Sequence, residues 1–485
     1  MLDEPLPLTF DPVSNGEYLP PAKTAGDVEA ERRVRRIAER HAARLGVSRR
    51  TFLTGACGMA ATLATINEVY GASGGFYRIT PEMLFEQEAA KAALAGKEFI
   101  FDVQSHHVMP DGAWKDKNPL AAQLFKSFQQ LFGRGRNVKD PLQGLSRFFY
   151  TKEIFLDSDT TVSVLSALPA LPAAQPCPID DAVATREIID RMSKSKRLLV
   201  HGLVTPNVDP IGAQLDGMQR LAEEHKVAAW KTYCLWGPKG NGWWLDDETL
   251  GVPVMERAMK LGVKIVCTHK GLPLGFLGEN KYERPVDVGR VAKRFPEIRY
   301  VIYHSGYDPK KVEGPYDPGT ADRGVDCLIK SLEDNGIRPN SNVYAELGST
   351  WWMLMKKPDQ AAHVLGKLLK HVGEDRVVWG TDSIWYGTPQ NQIEAFRAFE
   401  IADDLREKHG YPALTKEVKA KIFGLNSAAL YGIDAKATRE ALPKDEVEKL
   451  RQAYLENPQR TYAVYGPTNR REFLKLLKLH DGMPA

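Results

Sequence analysis

The chain has 485 residues, 43% hydrophobic and 26% charged, which is the balance of an ordinary soluble globular protein with ample material for a large core. Its 65 basic and 62 acidic side chains leave a formal charge of +3, scattered apart from a cluster over Arg32–Arg50. This excludes the concentrated basic face of a nucleic-acid binder. Five widely spaced cysteines (Cys57, Cys177, Cys234, Cys267 and Cys327) contain no CxxC pair, so they read as buried thiols and not as a disulfide framework or zinc finger. No stretch reaches the roughly 18 consecutive apolar residues of an integral membrane span.

Residues 1–30 are rich in Pro, Gly and acidic groups and read as an irregular arm. A charged helical pattern follows over 27–46, so 1–47 is an N-terminal extension. Ser48-Arg49-Arg50-Thr51-Phe52-Leu53 then leads into TGACGMAATLATI. Segment 48–75 resembles a twin-arginine export signal: two arginines, an apolar residue two places later, and a modestly apolar Gly/Ala-rich run. The resemblance implies the export machinery as a partner and a periplasmic destination, although no A-x-A cleavage site is present. The alternative is a cytoplasmic protein in which Ser48 caps an internal helix.

From residue 97 the pattern changes. Short apolar or β-branched runs at 98–104, 161–168, 197–204, 227–233, 263–269, 298–304, 342–348 and 376–382 alternate with helical stretches near 121–132, 180–195, 211–225, 247–261, 286–295, 322–335, 358–372 and 389–408. Continuous apolar strands between helices signal a parallel sheet covered on its faces, and eight such units close a (β/α)8 TIM barrel, an α/β fold, over 97–433. An open doubly wound sheet would need a Gly-rich phosphate turn, and no G-x-G-x-x-G follows any of the eight runs. Residues 434–485 form a helical tail, with helices expected over Pro443–Tyr454 and Asn469–Leu479. These would pack on the barrel exterior or on another subunit, in a homo-oligomer.

In such a barrel the chemistry sits at the C-terminal ends of the strands, and the polar residues fall there. The first strand ends Asp102-Val103-Gln104-Ser105-His106-His107. The fourth carries Lys231, the fifth ends in His269 and the sixth in His304. The seventh carries Glu346 and the eighth ends in Asp382. Three histidines at strand ends exceed chance in a chain with 11 in all. A catalytic metal needs about three protein ligands and an open position. Side chains two apart share a strand face, so Gln104 and His106 face the interior while His107 points away. We expect His106, His269, Asp382 and Gln104 to hold one divalent metal, Zn first, with Mn or Fe as alternatives. Asp382 would move a proton, and His304 would stabilise charge building on a substrate.

These residues carry a resemblance to the amidohydrolase superfamily, within it the amidohydrolase-related group that includes aminocarboxymuconate-semialdehyde decarboxylase. It covers about 98–433. Phe295-Pro296-Glu297-Ile298 with Tyr303-His304-Ser305-Gly306 resembles that group's sixth-strand signature. Asp375 to Asp382 (DRVVWGTD) resembles its eighth, and Gly424 to Gly432 (GLNSAALYG) its closing helix. The group's first strand usually reads Asp-x-His-x-His, and here Gln104 stands in place of the first histidine. Other branches of the superfamily carboxylate a fourth-strand lysine. The plainer reading of Lys231 is an ordinary ion pair with Glu346 or another acid, or a contact to a substrate carboxylate.

Eight of nine tryptophans lie between 230 and 385. Trp236, Trp351 and Trp385 follow strand ends and are expected to line the mouth with Lys231 and Glu346, around a small, apolar or aromatic substrate. The Gly-rich stretch 270–285 could act as a lid. The leading expectation is a metal-dependent hydrolase. The alternative is a non-oxidative decarboxylase of an aromatic or unsaturated acid, for which Lys231, Lys270 or Arg284 would hold the carboxylate. A catalytically silent ligand-binding barrel is the third reading.

Overall fold

The computed structural model describes residues 6–11, 22–71, 74–119, 122, 126, 140–208, 210–238, 241–273, 281–458 and 469–479. Eight parallel strands pair in chain order: β1 (Phe101–Ser105), β2 (Val162–Leu165), β3 (Leu198–Leu203), β4 (Ala229–Tyr233), β5 (Ile265–His269), β6 (Arg299–Tyr303), β7 (Val343–Glu346) and β8 (Val377–Val378). The ring closes where Val103 N–H donates to the Trp379 carbonyl at 3.0 Å and Ser105 bridges Ser383 in parallel. This is the TIM barrel expected from the alternating pattern. Its strands are almost entirely buried because the barrel interior covers one face and the helices cover the other.

Two elements differ from the sequence reading. β8 has two residues where seven were expected, because beyond Trp379 the backbone bends towards β1. There Asp382 N–H donates to the Gln104 carbonyl at 2.9 Å, and His106 N–H donates to the Ser383 carbonyl at 2.6 Å. The helix expected over 389–408 is interrupted: Gln390–Ala398 and Asp403–His409 flank a strand, Phe399–Ile401, which pairs antiparallel with Gly75–Tyr77. The helix expected near 121–132 lies mostly outside the described residues, as does much of the 270–285 loop. Asn426 at the start of the closing helix donates to the carbonyls of Glu374 and Val377, both at 2.8 Å, which ties that helix to the foot of β8.

The N-terminal segments are part of this body. Helix α1 (Ala25–Leu45) packs on α3 (Ala56–Tyr70), with the short α2 (Arg49–Leu53) between them. Ser48 Oγ accepts from Thr51 N–H and caps α2. Nine of the 15 residues of α3 are buried, from Cys57 to Ile66. A Cβ at Gly58 would lie 2.4 Å from the Phe52 carbonyl oxygen, so only glycine permits this close approach. The Ala/Gly-rich run that resembles the apolar core of an export signal is here a helix packed against Pro358–His371 and Gln390–Ala398. Asn67 clasps Tyr77 through both its amide atoms, at 2.6 and 2.8 Å, and the Tyr77 hydroxyl donates to the Met355 carbonyl. The described part of the arm has no regular structure, yet Leu6, Leu8 and Phe10 are buried. Asn391 donates to the Pro7 carbonyl at 3.2 Å and Lys356 to the Thr9 carbonyl at 2.8 Å.

At the other end of the barrel the tail helix Glu446–Leu455 is capped by buried Asp445, which also meets buried Arg197 at 3.4 Å. No helix among the described residues is long and apolar enough to cross a membrane.

If α3 is core, Leu63→Ala should cost about 2–5 kcal/mol, read as a lower denaturant midpoint of the purified chain. An unmoved midpoint would mean that α3 is a detachable segment.

Candidate functional site

The strand ends gather three histidines and one aspartate, and backbone carbonyls set how each imidazole is used. His106 Nδ1 lies 2.9 Å from the Ser166 carbonyl oxygen, His304 Nδ1 2.7 Å from that of Gly348, and His269 Nε2 3.1 Å from that of Leu272. A carbonyl only accepts, so each of these nitrogens carries the ring proton. The other nitrogens, His106 Nε2, His304 Nε2 and His269 Nδ1, therefore turn to the interior. Burial pushes His304 down to about 4 and His269 further below the usual histidine range, with His304 and Lys231 adding to the shift of His269. Both rings are therefore neutral at neutral pH.

His304 Nε2 and His269 Nδ1 face each other at 3.2 Å. Two lone pairs at that distance repel unless a cation or a proton lies between them. His106 Nε2 lies 3.1 Å from Asp382 Oδ1. Gln104 Nε2 donates to the same oxygen at 3.0 Å, and Ser349 Oγ donates to Asp382 Oδ2 at 2.5 Å. Burial alone would raise the Asp382 carboxyl, but the His106 hydrogen bond and the Ser349 hydroxyl hold it well below the usual carboxylate range. Strained backbone surrounds the group: His304, Ser305, Ser349 and Asp382 all take left-handed φ, between 54° and 66°.

As these side chains lie, no set of three or more His, Cys, Asp or Glu among the described residues gathers closely enough to hold a metal ion. The donors form two pairs, His106 with Asp382 and His269 with His304. Their chemistry nevertheless fits a divalent cation. All three imidazoles are tethered with the second ring nitrogen turned inward, those of His269 and His304 present lone pairs, the carboxylate is ionised, and the His269–His304 contact lacks the positive charge it needs. Gln104 serves differently from the ligand expected of it. Its amide nitrogen turns to Asp382, and its Oε1 is buried with no hydrogen-bond partner.

Other expected residues divide. His107 points away from the group, to Thr185 Oγ1 at 2.9 Å, and burial lowers it to about 3. Trp385 stacks on His106 with centroids 5.4 Å apart and walls the site. Trp236 is half-buried beyond β4. Trp351 does not line the mouth: its indole N–H donates to the Gln392 carbonyl at 2.9 Å and its ring packs edge-on to Phe396 and Phe399, because the short helix Thr350–Leu354 turns it into the core. Glu346 accepts from His304 N–H at 3.0 Å and Gly348 N–H at 2.5 Å. A Cβ at Gly380 would come within 1.7 Å of its Oε1, so that glycine makes the space.

The structure also sorts the cations. Lys270 is consumed by Asp287 at 2.9 Å and by the Tyr282 carbonyl at 3.0 Å. Arg284 sits half-buried on a turn. Lys231 makes no ion pair with Glu346. Its Nζ is fully buried without a hydrogen-bond partner, 3.4 Å from the Tyr303 ring centre and 4.6 Å from that of Tyr233. Lys231 pairs in register with Cys267, two residues before His269, which places it on the floor beneath the histidines. Burial lowers it to about 7.

A family model described as amidohydrolase matches residues 174–433, more than half of the chain. The chain belongs to the amidohydrolase family. The match takes in β3 to β8 and the closing helix, and so His269, His304 and Asp382 of this amidohydrolase. No curated protein matches it. Among solved structures, an uncharacterised TIM-barrel protein from Bordetella bronchiseptica is 14% identical over 69% of this chain and 99% of its own (TM-score 0.47). The 5-carboxyvanillate decarboxylase of Sphingomonas paucimobilis is 14% identical over 70% and 100% (TM-score 0.43). The 2,6-dihydroxybenzoate decarboxylase of Rhizobium is 14% identical over 69% and 99% (TM-score 0.41).

Sequence reasoning missed Ser349, Tyr386 as a partner of Ser349, and Asp102 as a brace. Asp102 accepts from Thr381 Oγ1 at 2.5 Å and from the Gln104 and Thr381 backbone N–H groups, and so locks the end of β1 to the segment carrying Asp382. Ser349 sits in the turn after β7, where a small polar residue was the available signal; Asp102 lies within β1 and Tyr386 well beyond β8, where no such signal exists.

Calorimetric titration of Mn2+ or Zn2+ into chelator-stripped protein should show one site, weakened by more than about 10-fold in His269→Asn. Equal affinity in that variant would separate the facing imidazoles from any cation site.

Proposed function

We propose that this amidohydrolase is a metal-dependent non-oxidative decarboxylase acting on an aromatic or unsaturated carboxylic acid. One observation carries the reading. Lys231 is a buried amine with no acidic partner, under aromatic faces and directly beneath the His/Asp group. An unpaired cation in such a chamber is costly, and a substrate carboxylate would satisfy it. The sequence left hydrolysis ahead because it could not place any of the three candidate cations. Lys231 is the one whose position suits the task.

His106 and Asp382, with His269 or His304, would hold the ion, and Mn suits this imidazole and carboxylate set as well as Zn does. When bound, the ion would polarise a substrate oxygen as a Lewis acid. Lys231 orients the carboxylate by charge, while Tyr233 and Tyr303 keep water from it. Loss of CO2 leaves an electron pair on the substrate carbon, which must then take up a proton. Glu346 holds a proton at neutral pH: burial, with the Asp382 charge adding to it, pushes its carboxyl up to about 8 against two backbone N–H bonds. Hydrolysis is the second reading, with Asp382 taking a proton from water and passing it to the leaving group, and the His106–Asp382 contact favours it. Export remains a proposal carried by Arg49-Arg50 and the run after them. In this fold α3 is buried, so segment 48–75 would have to serve both as signal and as part of the core.

A panel of aromatic acids should release CO2 and a panel of esters and lactones should not be cleaved. The reverse result would establish the hydrolase. Asp382→Asn should abolish turnover, and full activity in that variant would place the active site elsewhere. Lys231 binds a carboxylate only when protonated, so kcat/KM should fall as pH rises above about 7. Lys231→Met should raise KM by about 10–100-fold and flatten that limb. An unchanged pH profile in the variant would contradict the role.

A further inference from the structure

The two oxygens of Asp382 have different surroundings. Oδ1 faces His106 and Gln104. Oδ2 is held by Ser349 Oγ at 2.5 Å, and Ser349 Oγ in turn lies 2.5 Å from the Tyr386 hydroxyl. Serine has one hydroxyl proton, and the carboxylate accepts it. The Tyr386 hydroxyl must therefore donate to Ser349. The result is a directed chain, Tyr386 to Ser349 to Asp382.

Its middle and its outer end are both fixed. Ser349 is fully buried, with φ of 57°, in a turn whose neighbours Gly348 and Thr350 bond His304: Gly348 through its carbonyl at 2.7 Å, Thr350 by donating to the His304 carbonyl at 2.9 Å. The same turn thus sets one imidazole and one carboxylate oxygen. The Tyr386 ring stacks on Trp352, with centroids 4.2 Å apart and planes 11° from parallel. Behind this stack lies a small cavity with room for about one water, lined by Trp352, Tyr386 and Pro7, Leu8 and Thr9 of the arm. The arm backs the stack, the stack fixes the phenol, and the phenol fixes Ser349.

We propose that Ser349 and Tyr386 are a positioning pair for Asp382, pinning Oδ2 so that Oδ1 alone is presented to the ion held with His106. The inference rests on the reading of Asp382 as a metal ligand, and it does not depend on which substrate the enzyme takes. Partners of a ligand carboxylate tune affinity by about 10–100-fold.

The test is calorimetric titration of Mn2+ into the full, chelator-stripped chain, beside Ser349→Ala and Tyr386→Phe, the latter keeping the ring on Trp352. Both variants should bind Mn2+ more weakly, Ser349→Ala by about 10–100-fold and Tyr386→Phe by less. Their metal-free thermal midpoints should match that of the wild type, which a merely structural role would not allow. With any turned-over substrate, kcat should fall while KM holds. Wild-type Mn2+ affinity in Tyr386→Phe and in Ser349→Ala would overturn the pairing. If Ser349→Ala does not fold, unchanged affinity in Tyr386→Phe alone overturns it. No Mn2+ binding by the wild type would remove the ligand reading and the pair with it, whereas a failure to release CO2 would remove only the substrate reading.

Discussion

The candidate site depends on three backbone carbonyls. Ser166, Leu272 and Gly348 each take the proton-bearing nitrogen of one histidine, and so decide which nitrogen of His106, His269 and His304 is turned to the interior. An imidazole free to rotate would hydrogen-bond to whatever lay nearest. Tethered in this way, the three rings are held ready for an electrophile, and the 3.2 Å approach of two of them is a contact that neutral imidazoles would avoid. The barrel supplies this at little conformational cost, because the carbonyls belong to segments that immediately follow β2, β5 and β7.

Much of this was legible in the sequence. Eight apolar runs ending in polar residues announce a parallel barrel, since strands covered on both faces have no reason to alternate and only their ends meet solvent and substrate. Two-residue periodicity was enough to separate Gln104 and His106 from His107, and the three do part company at the end of β1. Which acid would accompany Lys231 was not legible. The answer depends on how far a flexible four-carbon stem reaches across a closed cylinder, and it lies against Tyr303 and not against Glu346. Trp351 misled because a tryptophan after a strand reads as a rim residue, whereas a single helical turn suffices to bury it.

Segment 48–75 shows how composition can serve two ends. Alanine, glycine and a few larger apolar residues suit the core of an export signal, and they equally suit a helix that must lie close to its neighbours. Gly58 against the Phe52 carbonyl is the second use. The helix so placed supports Gly75–Tyr77 and, through the Tyr77 hydroxyl, the Met355 backbone. The N-terminal extension therefore reaches the loop after β7, and the arm at Pro7–Thr9 reaches Trp352 and Tyr386. Residues that back the site are thus themselves backed by chain that precedes the barrel in sequence.

The central claim is that His106 and Asp382, with His269 or His304, hold one divalent cation. A crystal structure of the chain grown with Mn2+, with anomalous scattering recorded at the manganese edge, tests it most directly. The account predicts a single anomalous peak within ligand distance of Asp382 Oδ1 and of at least two of these imidazoles, with the His269–His304 contact opened. A peak elsewhere, or none while the two rings still face each other, would contradict it.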